Sequence, residues 1–341
     1  MKKDLFVPQS ENAIKVYEQQ NAIKKDWTLS RYYITKDYFN AHMKQFVAKA
    51  GDLIVSCAGT IGEVYELPKD AEEGVFNQAL MRVRVNNEVV NKEIFITVFS
   101  SMIDKFSKIY SNGSAIKNIP PFADLKRTQV YLPCKEEQIV IAQLLRSLDE
   151  RIATQNKIID KLQSLIKGIR NKLFENDKDW RTAKIREFLC IGNGKDYKHL
   201  DIGDIPVYGT GGKMLSVNDF LYDGDSVCIG RKGTIDTPLF LTGKFWTVDT
   251  LFYTYGFKDV LPKFCYYLFK QINWQLYNEG TGVPSLSKST IENIKVRIPS
   301  IIQQYKICYI LDCYEDKIKN EGLILDLYCS QKQYLLRQMF I

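Results

Sequence analysis

Two segments of the chain, residues 136–175 and 302–341, carry the same sequence pattern 166 positions apart, and the register between them holds without a gap. An uninterrupted match of this length indicates an internal duplication rather than a chance similarity. The chain is therefore predicted to consist of two related halves, each ending in a long helix. The matched groups are Leu132–Pro133 with Ile298–Pro299, Glu136–Gln138 with Ile302–Gln304, Asp149–Ile152 with Glu315–Ile318, and Leu173–Phe174 with Met339–Phe340.

Apolar residues in both segments follow alternating spacings of four and three, which is typical of a coiled-coil seam. A polar residue interrupts each seam at the same step, Gln155 in the first and Glu321 in the second. We predict two helices of ~60 Å that pack on each other as an antiparallel, pseudo-twofold pair. The alternative is that each helix lies on its own domain. The seam residues are Ile141, Leu145, Leu148, Ile152, Ile159, Leu162 and Ile166 in the first helix and Ile307, Leu311, Ile318, Leu325 and Leu335 in the second.

The composition of the 341 residues is that of a globular protein, with 45% hydrophobic and 26% charged residues, and the length suits two domains. A net charge of +7 fits an anionic partner, although a basic soluble protein would have it too. The eight cysteines form no CxxC motif, so we interpret them as reduced thiols. No apolar run has the length of a signal peptide core or a membrane span, and we expect a cytoplasmic protein without a membrane partner.

A mixed segment precedes each helix, and the two segments also match each other. Residues 51–61 parallel 224–235 with one inserted residue, 113–116 parallel 280–283, and 14–17 parallel 205–208. Short β-branched runs between turn residues predict strands, so each segment is expected to be α+β. The predicted strands are 80–85, 130–132, 226–229, 251–254 and 294–298, and the predicted helices are 92–110 and 262–277.

The first segment is shorter at its front than the second. Only 13 residues precede Ile14, whereas 26 residues, beginning with Asp179, precede Ile205 in the second segment. We expect the first domain to lack its first strand, either because the chain is truncated or because that domain is built differently.

These features together resemble the specificity subunits of Type I restriction-modification enzymes, the HsdS family. The resemblance covers nearly the whole chain from about Val16. It is carried by residues 132–174 with their second copy, and by the motifs GNGKDY (192–197), IPVYGTGG (205–212), GRKGTID (230–236), FWTVDT (245–250) and TGVPSL (281–286).

The resemblance implies a fold, a function and a set of partners. Two target-recognition domains, residues 1–134 and 177–300, would each read half of a split double-stranded DNA target. The spacer helices, residues 135–176 and 301–341, would fix the distance between the half-sites and dock two methyltransferase subunits, with restriction subunits joining the complex. S-adenosylmethionine, Mg and ATP would be bound by those partners, and no cofactor by this chain.

The candidate DNA-binding residues lie in polar turns. Arg231 and Lys232 stand between glycines, so they can approach a phosphate or a guanine edge, and Asn77 and Gln78 suit adenine. Each turn could equally be a solvated surface loop. The candidates in the second domain are Arg231, Lys232, Gly233, Thr234, Thr247, Asp249, Thr250, Thr281, Ser285 and Lys288. Those in the first domain are Ser56, Thr60, Asn77, Gln78, Ser114 and Lys117.

Motifs for catalysis are missing from the sequence. The only histidines, His42 and His199, lie in no nucleophile motif. Residues 209–213 lack the spacing of a phosphate-binding loop, and no GxGxxG motif follows a strand. We therefore expect a non-catalytic specificity subunit. A truncated or silent variant that acts as an interaction scaffold is the alternative, and an active nuclease or methyltransferase is disfavoured.

Overall fold

The computed structural model describes residues 3–110, 119, 121–175 and 179–339, and the chain divides into two compact units. The first unit comprises Met1–Ile152 and Tyr328–Ile341, and the second comprises Ala153–Leu327. Each unit therefore contains one mixed domain together with a part of both long helices.

The described residues of the mixed domain in the first unit form seven strands in two sheets. One sheet has the order β2-β1-β6-β3, in which β1 and β6 run parallel, and the other has the order β5-β4-β7. The strands are β1 (Ala13–Tyr17), β2 (Tyr32–Thr35), β3 (Val47–Ala48), β4 (Leu53–Ser56), β5 (Val64–Glu66), β6 (Gly74–Phe76) and β7 (Leu80–Val83). The helices are α1 (Gln19–Lys24), α2 (Lys36–Tyr38), α3 (Lys92–Tyr110) and α4 (Phe122–Arg127).

From residue 179 onward, the described part of the second unit's domain forms ten strands in three sheets. The sheet orders are β11-β10-β15-β12, β14-β13-β16-β9 and β17-β8. The strands are β8 (Arg181–Lys184), β9 (Cys190–Asn193), β10 (Ile202–Gly209), β11 (Gly212–Val217), β12 (Tyr222–Asp223), β13 (Ser226–Gly230), β14 (Leu239–Leu241), β15 (Lys244–Thr247), β16 (Leu251–Tyr255) and β17 (Lys295–Ile298). Helix α5 (Lys135–Leu173) precedes this domain, whose shorter helices are α6 (Pro262–Phe269) and α7 (Lys288–Asn293).

The seven strands of the first domain correspond in order to β10–β16 of the second. In both domains the first of these strands pairs in parallel with the sixth, and the fourth pairs with the fifth and the seventh in antiparallel fashion. β8, β9 and β17 have no described counterpart in the first domain. The duplication predicted from the sequence is therefore present in the strand topology.

The two long helices are α5 (Lys135–Leu173) and α8 (Ile301–Met339). They run antiparallel in each unit. Leu145 and Asp149 contact Leu336 and Lys332 in the first unit, and Gln155 and Ile166 lie next to Glu321 and Leu311 in the second. The α+β fold class with two long antiparallel helices is confirmed.

A buried glutamine anchors the start of each long helix to its domain in the same way. The Gln138 side-chain amide donates to the carbonyl oxygens of Val89 (3.2 Å) and Pro133 (3.0 Å), and its oxygen accepts from the Asn91 N–H (2.7 Å). Gln304 makes the same set of bonds, since its amide donates to the carbonyl oxygens of Asp259 (3.2 Å) and Pro299 (3.0 Å) and its oxygen accepts from the Leu261 N–H (2.8 Å). These shared hydrogen bonds align α3 with α6 and residues 129–132 with β17.

Two predictions of secondary structure are wrong. Residues 130–132 are not a strand, because nothing in the described part of the first unit pairs with them as β8 pairs with β17. The helix predicted over 262–277 ends at Phe269, and a short 3-10 helix follows at Trp274–Tyr277. The Trp274 indole N–H donates to the Phe269 carbonyl oxygen (2.8 Å), which satisfies one of the carbonyl groups left unpaired at a helix end.

Candidate nucleic-acid interface

The turn after β13 presents two cations at the surface of the second domain. Arg231, Lys232 and Thr234 are exposed, while the strand before them is fully buried. Gly233 has a φ of +87°, which favours glycine. A Cβ atom at Gly230 would lie 2.1 Å from the Thr234 carbonyl oxygen, so only glycine fits where the turn closes. The turn thus has a fixed backbone with cationic side chains that point outward.

Hydrogen bonds join this turn to the two other candidate loops of the second domain. The Arg231 N–H donates to the Thr250 carbonyl oxygen (2.7 Å), and the Arg231 carbonyl oxygen accepts from the Leu286 N–H (2.9 Å). The Gly233 N–H donates to the Pro284 carbonyl oxygen (2.9 Å). Residues 230–234, 248–250 and 281–286 therefore form one surface, which we call the loop cluster.

Two further segments, neither of which was predicted from the sequence to contact DNA, join the loop cluster. The Lys195 N–H donates to the Thr247 carbonyl oxygen (2.8 Å), and the exposed Lys195 side chain adds a third cation. The Thr210 hydroxyl lies beside Gly233, 3.7 Å from the position of a Cβ atom there. Both residues lie in glycine turns of the family motifs, and this position in the sequence could have identified them as candidate contacts.

The side chains of the loop cluster differ in their ion pairing and in their exposure to solvent. No ion pair of Arg231 or Lys232 is found among the described residues, so both charges are available to a phosphate. Lys288, in contrast, lies 3.6 Å from the Glu292 carboxylate. Asp249 and Thr281 are exposed, and Ser285 and Thr250 are half-buried.

Thr247 and Ser56 do not reach the surface, and we remove both from the candidate contacts. Each is 0% exposed. The Ser56 hydroxyl accepts a hydrogen bond from the Glu63 N–H (3.0 Å) and so supports the turn after β4. The Thr247 hydroxyl has no hydrogen-bond partner in the described part of the chain, and we have no physical account of it.

The corresponding turn of the first domain makes two equivalent backbone hydrogen bonds but lacks the cations. The Cys57 N–H donates to the Ala79 carbonyl oxygen (2.9 Å), and the Cys57 carbonyl oxygen accepts from Ile119 (3.1 Å). These bonds place Cys57 where the second domain has Arg231, and Ala58 where it has Lys232. Gly59 (φ +69°) then matches Gly233. Burial raises the pKa of the Cys57 thiol to about 11, so this position is neutral at pH 7.

The remaining candidates of the first domain lie near this turn or outside the described residues. Thr60 is exposed and corresponds to Thr234. The Asn77 side-chain oxygen accepts from the Ala79 N–H (2.9 Å), so Asn77 shapes its turn, and Gln78 beside it is exposed. Both border a cavity of about 350 Å³. Ser114 and Lys117 lie outside the described residues.

The seam residues of the two long helices are all buried or half-buried. Leu145, Leu148, Ile307 and Leu311 are buried. Those that are half-buried are Ile141, Ile152, Ile159, Leu162, Ile166, Ile318, Leu325 and Leu335. In the first unit Leu336 packs with the buried Leu145, and in the second Ile166 packs against the core that contains Leu311.

The polar residues that interrupt the two seams, Gln155 and Glu321, form a hydrogen-bonded pair. The Gln155 side-chain amide donates to the Glu321 carbonyl oxygen (3.0 Å) and to the Glu321 carboxylate. Lys317 lies 2.6 Å from the same carboxylate. Both hydrogen bonds lower the pKa of Glu321, and the one from Lys317 has the larger effect. Glu321 is therefore held as a carboxylate inside the helix pair.

Side chains of the second domain also hold α8. The Lys270 ammonium lies 2.7 Å from the Glu315 carboxylate, and the Tyr267 hydroxyl donates to Asp312 (2.6 Å).

The described residues form neither a cluster of metal-ligating side chains nor a membrane-spanning helix. Among them, no three His, Cys, Asp or Glu side chains are grouped so that they could hold a metal ion. None of the described helices is both long and apolar enough to cross a membrane.

Known proteins resemble the chain in sequence and in fold. It is 24% identical over 175 residues to the Type I restriction enzyme MjaVIII specificity subunit of Methanocaldococcus jannaschii, a match that covers 46% of this chain. The match spans only 39% of the length of that relative. The S subunit of a Type I restriction-modification system from M. genitalium has a similar fold, with a TM-score of 0.60 at 18% identity over 100% of this chain and 91% of the other.

A second solved structure, which concerns complex assembly and conformational transition of the type I R-M system, gives a TM-score of 0.65 at 13% identity over 98% of this chain and 95% of that one. The family model of the type I restriction modification DNA specificity domain matches twice, over residues 7–164 and 177–326, once in each half of the duplication. These matches cover most of the chain, which therefore belongs to the family of type I restriction-modification DNA specificity domains.

Proposed function

We propose that the chain is a non-catalytic subunit that gives a Type I restriction-modification complex its DNA sequence specificity. Each recognition domain reads one half of a split target in double-stranded DNA. The long helices set the unread spacer and dock two methyltransferase subunits, and restriction subunits join through them. S-adenosylmethionine, Mg and ATP act in those partners, in the cytoplasm.

The observation that carries this proposal is the loop cluster of the second domain. It combines the exposed cations Lys195, Arg231 and Lys232 with the polar side chains of Asp249 and Thr281 on one rigid backbone. Protein–DNA contacts are of these two kinds, since cations hold phosphates and polar side chains read base edges. A preformed set of loops also loses little conformational entropy when DNA binds.

The lengths and surfaces of the long helices support a spacer role. A 39-residue helix is about 60 Å long, comparable with about eighteen base pairs of B-DNA. Apolar side chains remain exposed on both helices at matching positions, including Ile139 (45% exposed) and Tyr305 (61%). Exposed apolar residues at equivalent positions suit two copies of one partner, because each half of the duplication would offer a similar site.

The alternative function, an interaction scaffold that does not read DNA with sequence specificity, is favoured by one observation. Cys57 and Ala58 replace the two cations in the first domain, so that domain has less charge with which to hold phosphates. Two working domains predict a bipartite methylated sequence, whereas the scaffold predicts a complex that leaves DNA unmarked.

The test is to combine the purified chain with the methyltransferase subunits of a Type I system and to map methylated bases in genomic DNA. The Arg231→Ala, Lys232→Ala double variant serves as the matched control. A split methylated motif that the control loses supports the proposal. A complex that assembles without methylating DNA supports the scaffold, and methylation by the chain alone would contradict both.

A further inference from the structure

Two strands of the second domain come from a single segment that has no described counterpart in the first. Residues 180–193 contribute β8, which pairs with β17, and β9, which pairs with β16. Between these strands the segment inserts Ile185 and Phe188, both 0% exposed, into the core. One short segment thus completes two sheets and one hydrophobic core.

The first domain leaves the equivalent edges open. β7 corresponds to β16, and it pairs with β4 on one side and with no strand among the described residues on the other. Residues 129–132 correspond to β17 but pair with no strand in the part of the first domain that the structure describes. Val130 is 43% exposed and Tyr131 86%, whereas the equivalent of Val130, Val296, is 8% exposed.

A cavity of about 270 Å³ lies next to the open edge at residues 129–132, and its lining is apolar. Val98, Phe99, Leu125 and Val130 contribute to that lining. Their equivalents in the second domain are Leu268, Phe269, Ile291 and Val296, which are buried in the same core as residues 180–191. The cavity therefore occupies the place that a segment of this kind fills in the other domain.

We infer that this cavity and the two open edges form a docking site for a peptide segment of another polypeptide chain. The segment carries large apolar residues at the spacing of Trp180, Ile185, Phe188 and Ile191. It enters as two short strands, so that main-chain hydrogen bonds supply affinity and the apolar side chains supply specificity. This inference goes beyond the proposed function, and binding of the segment does not depend on DNA recognition.

The experiment titrates the full chain into a fluorescent peptide of residues 179–193, with Cys190→Ser to prevent oxidation, and records fluorescence anisotropy. The control peptide carries Ile185→Asp and Phe188→Asp, which place charges where the cavity is apolar. The control protein is Val130→Lys, because an exposed residue can be changed without loss of folding while the lysine blocks the site. Its circular dichroism spectrum and melting temperature are compared with those of the parent chain.

We expect saturable binding with a dissociation constant in the micromolar range, weakened at least about tenfold by either control. Amide exchange in Leu80–Val83 should slow when the peptide is bound, because β7 gains a second partner. No saturable binding, or binding that a folded Val130→Lys protein retains, would overturn the inference. Either result leaves the DNA-reading proposal intact, since that is decided by methylation.

Discussion

Gln155 and Glu321 lie 166 positions apart, which is the period of the duplication, and they form a hydrogen bond to each other in the interior of the helix pair. A position that contacts its own duplicate lies at the local axis relating the two antiparallel helices. Because a polar pair in an apolar seam is stable only in one alignment, it fixes the register of the helices. A helix pair with a single register also has a single length.

The first prediction concerns pH. The pKa of Glu321 is lowered in the folded chain, so its ionised form stabilises the fold at pH values above the ordinary pKa of 4.5. This stabilisation is lost as the pH falls through the lowered pKa. The free energy of unfolding of the parent chain should therefore fall more steeply below pH 5 than that of Glu321→Gln. Urea titrations between pH 3 and 7 measure this. Lys317→Met, which removes the strongest donor, should show a weaker pH dependence than the parent. Equal pH dependence in all three proteins would contradict the pairing.

The second prediction concerns the apolar part of the seam. Leu311 is 0% exposed, so Leu311→Ala should lower the free energy of unfolding by about 2–5 kcal/mol through lost burial and a cavity. Leu323 lies on the same helix at 54% exposure, and Leu323→Ala should change stability by about 0.5 kcal/mol or less. Urea denaturation of both variants tests this. Similar losses would show that the seam runs along a different face.

The third prediction concerns the cations of the loop cluster. Replacing Arg231 and Lys232 with Ala should weaken DNA binding and lower the slope of log affinity against log salt by about two, because each cation releases about one counterion. The Lys295→Ala variant removes one exposed cation from β17, outside the loop cluster, and should bind as the parent does. Binding is measured by anisotropy at several salt concentrations. An unchanged salt slope in the double variant would exclude phosphate contacts by this turn.

The fourth prediction adds charge to the first domain. Ala58 occupies the position of Lys232, so Ala58→Lys should raise DNA affinity severalfold and increase the salt slope by about one. Ala71→Lys adds the same charge outside the turn and serves as the control. The same anisotropy assay compares the two proteins. An equal effect of both substitutions would mean that the increase reflects net charge and not the position of the turn.

Much of the architecture could be predicted because it depends on periodic patterns. The seam spacing placed α5 and α8 to within a few residues, and the glycine turns identified the loops that the second domain brings together. The turn at Arg231 was recognisable because closure between Gly230 and Thr234 requires glycine. Local patterns of this kind are visible in a sequence without knowledge of distant partners.

The errors arose where structure depends on distant partners. Residues 130–132 have the composition of a strand but no partner strand among the described residues, and Thr247 has a polar side chain but lies inside a sheet. The replacement of Arg231 by Cys57 became clear only from matching hydrogen bonds, because one inserted residue obscures the alignment. Pairing and burial are tertiary properties that composition alone does not determine.

The central claim is that the helix pair sets the distance between two DNA-reading domains. Its most direct test inserts one heptad after Gln155 and one before Glu321, which lengthens both helices by the same amount, keeps the seam in phase and preserves the Gln155–Glu321 pair. Seven residues add about 10 Å, or about three base pairs. We predict that the methylated motif in genomic DNA keeps both half-sites, gains about three base pairs of spacer and is methylated less completely. A motif with the parental spacer would contradict the account.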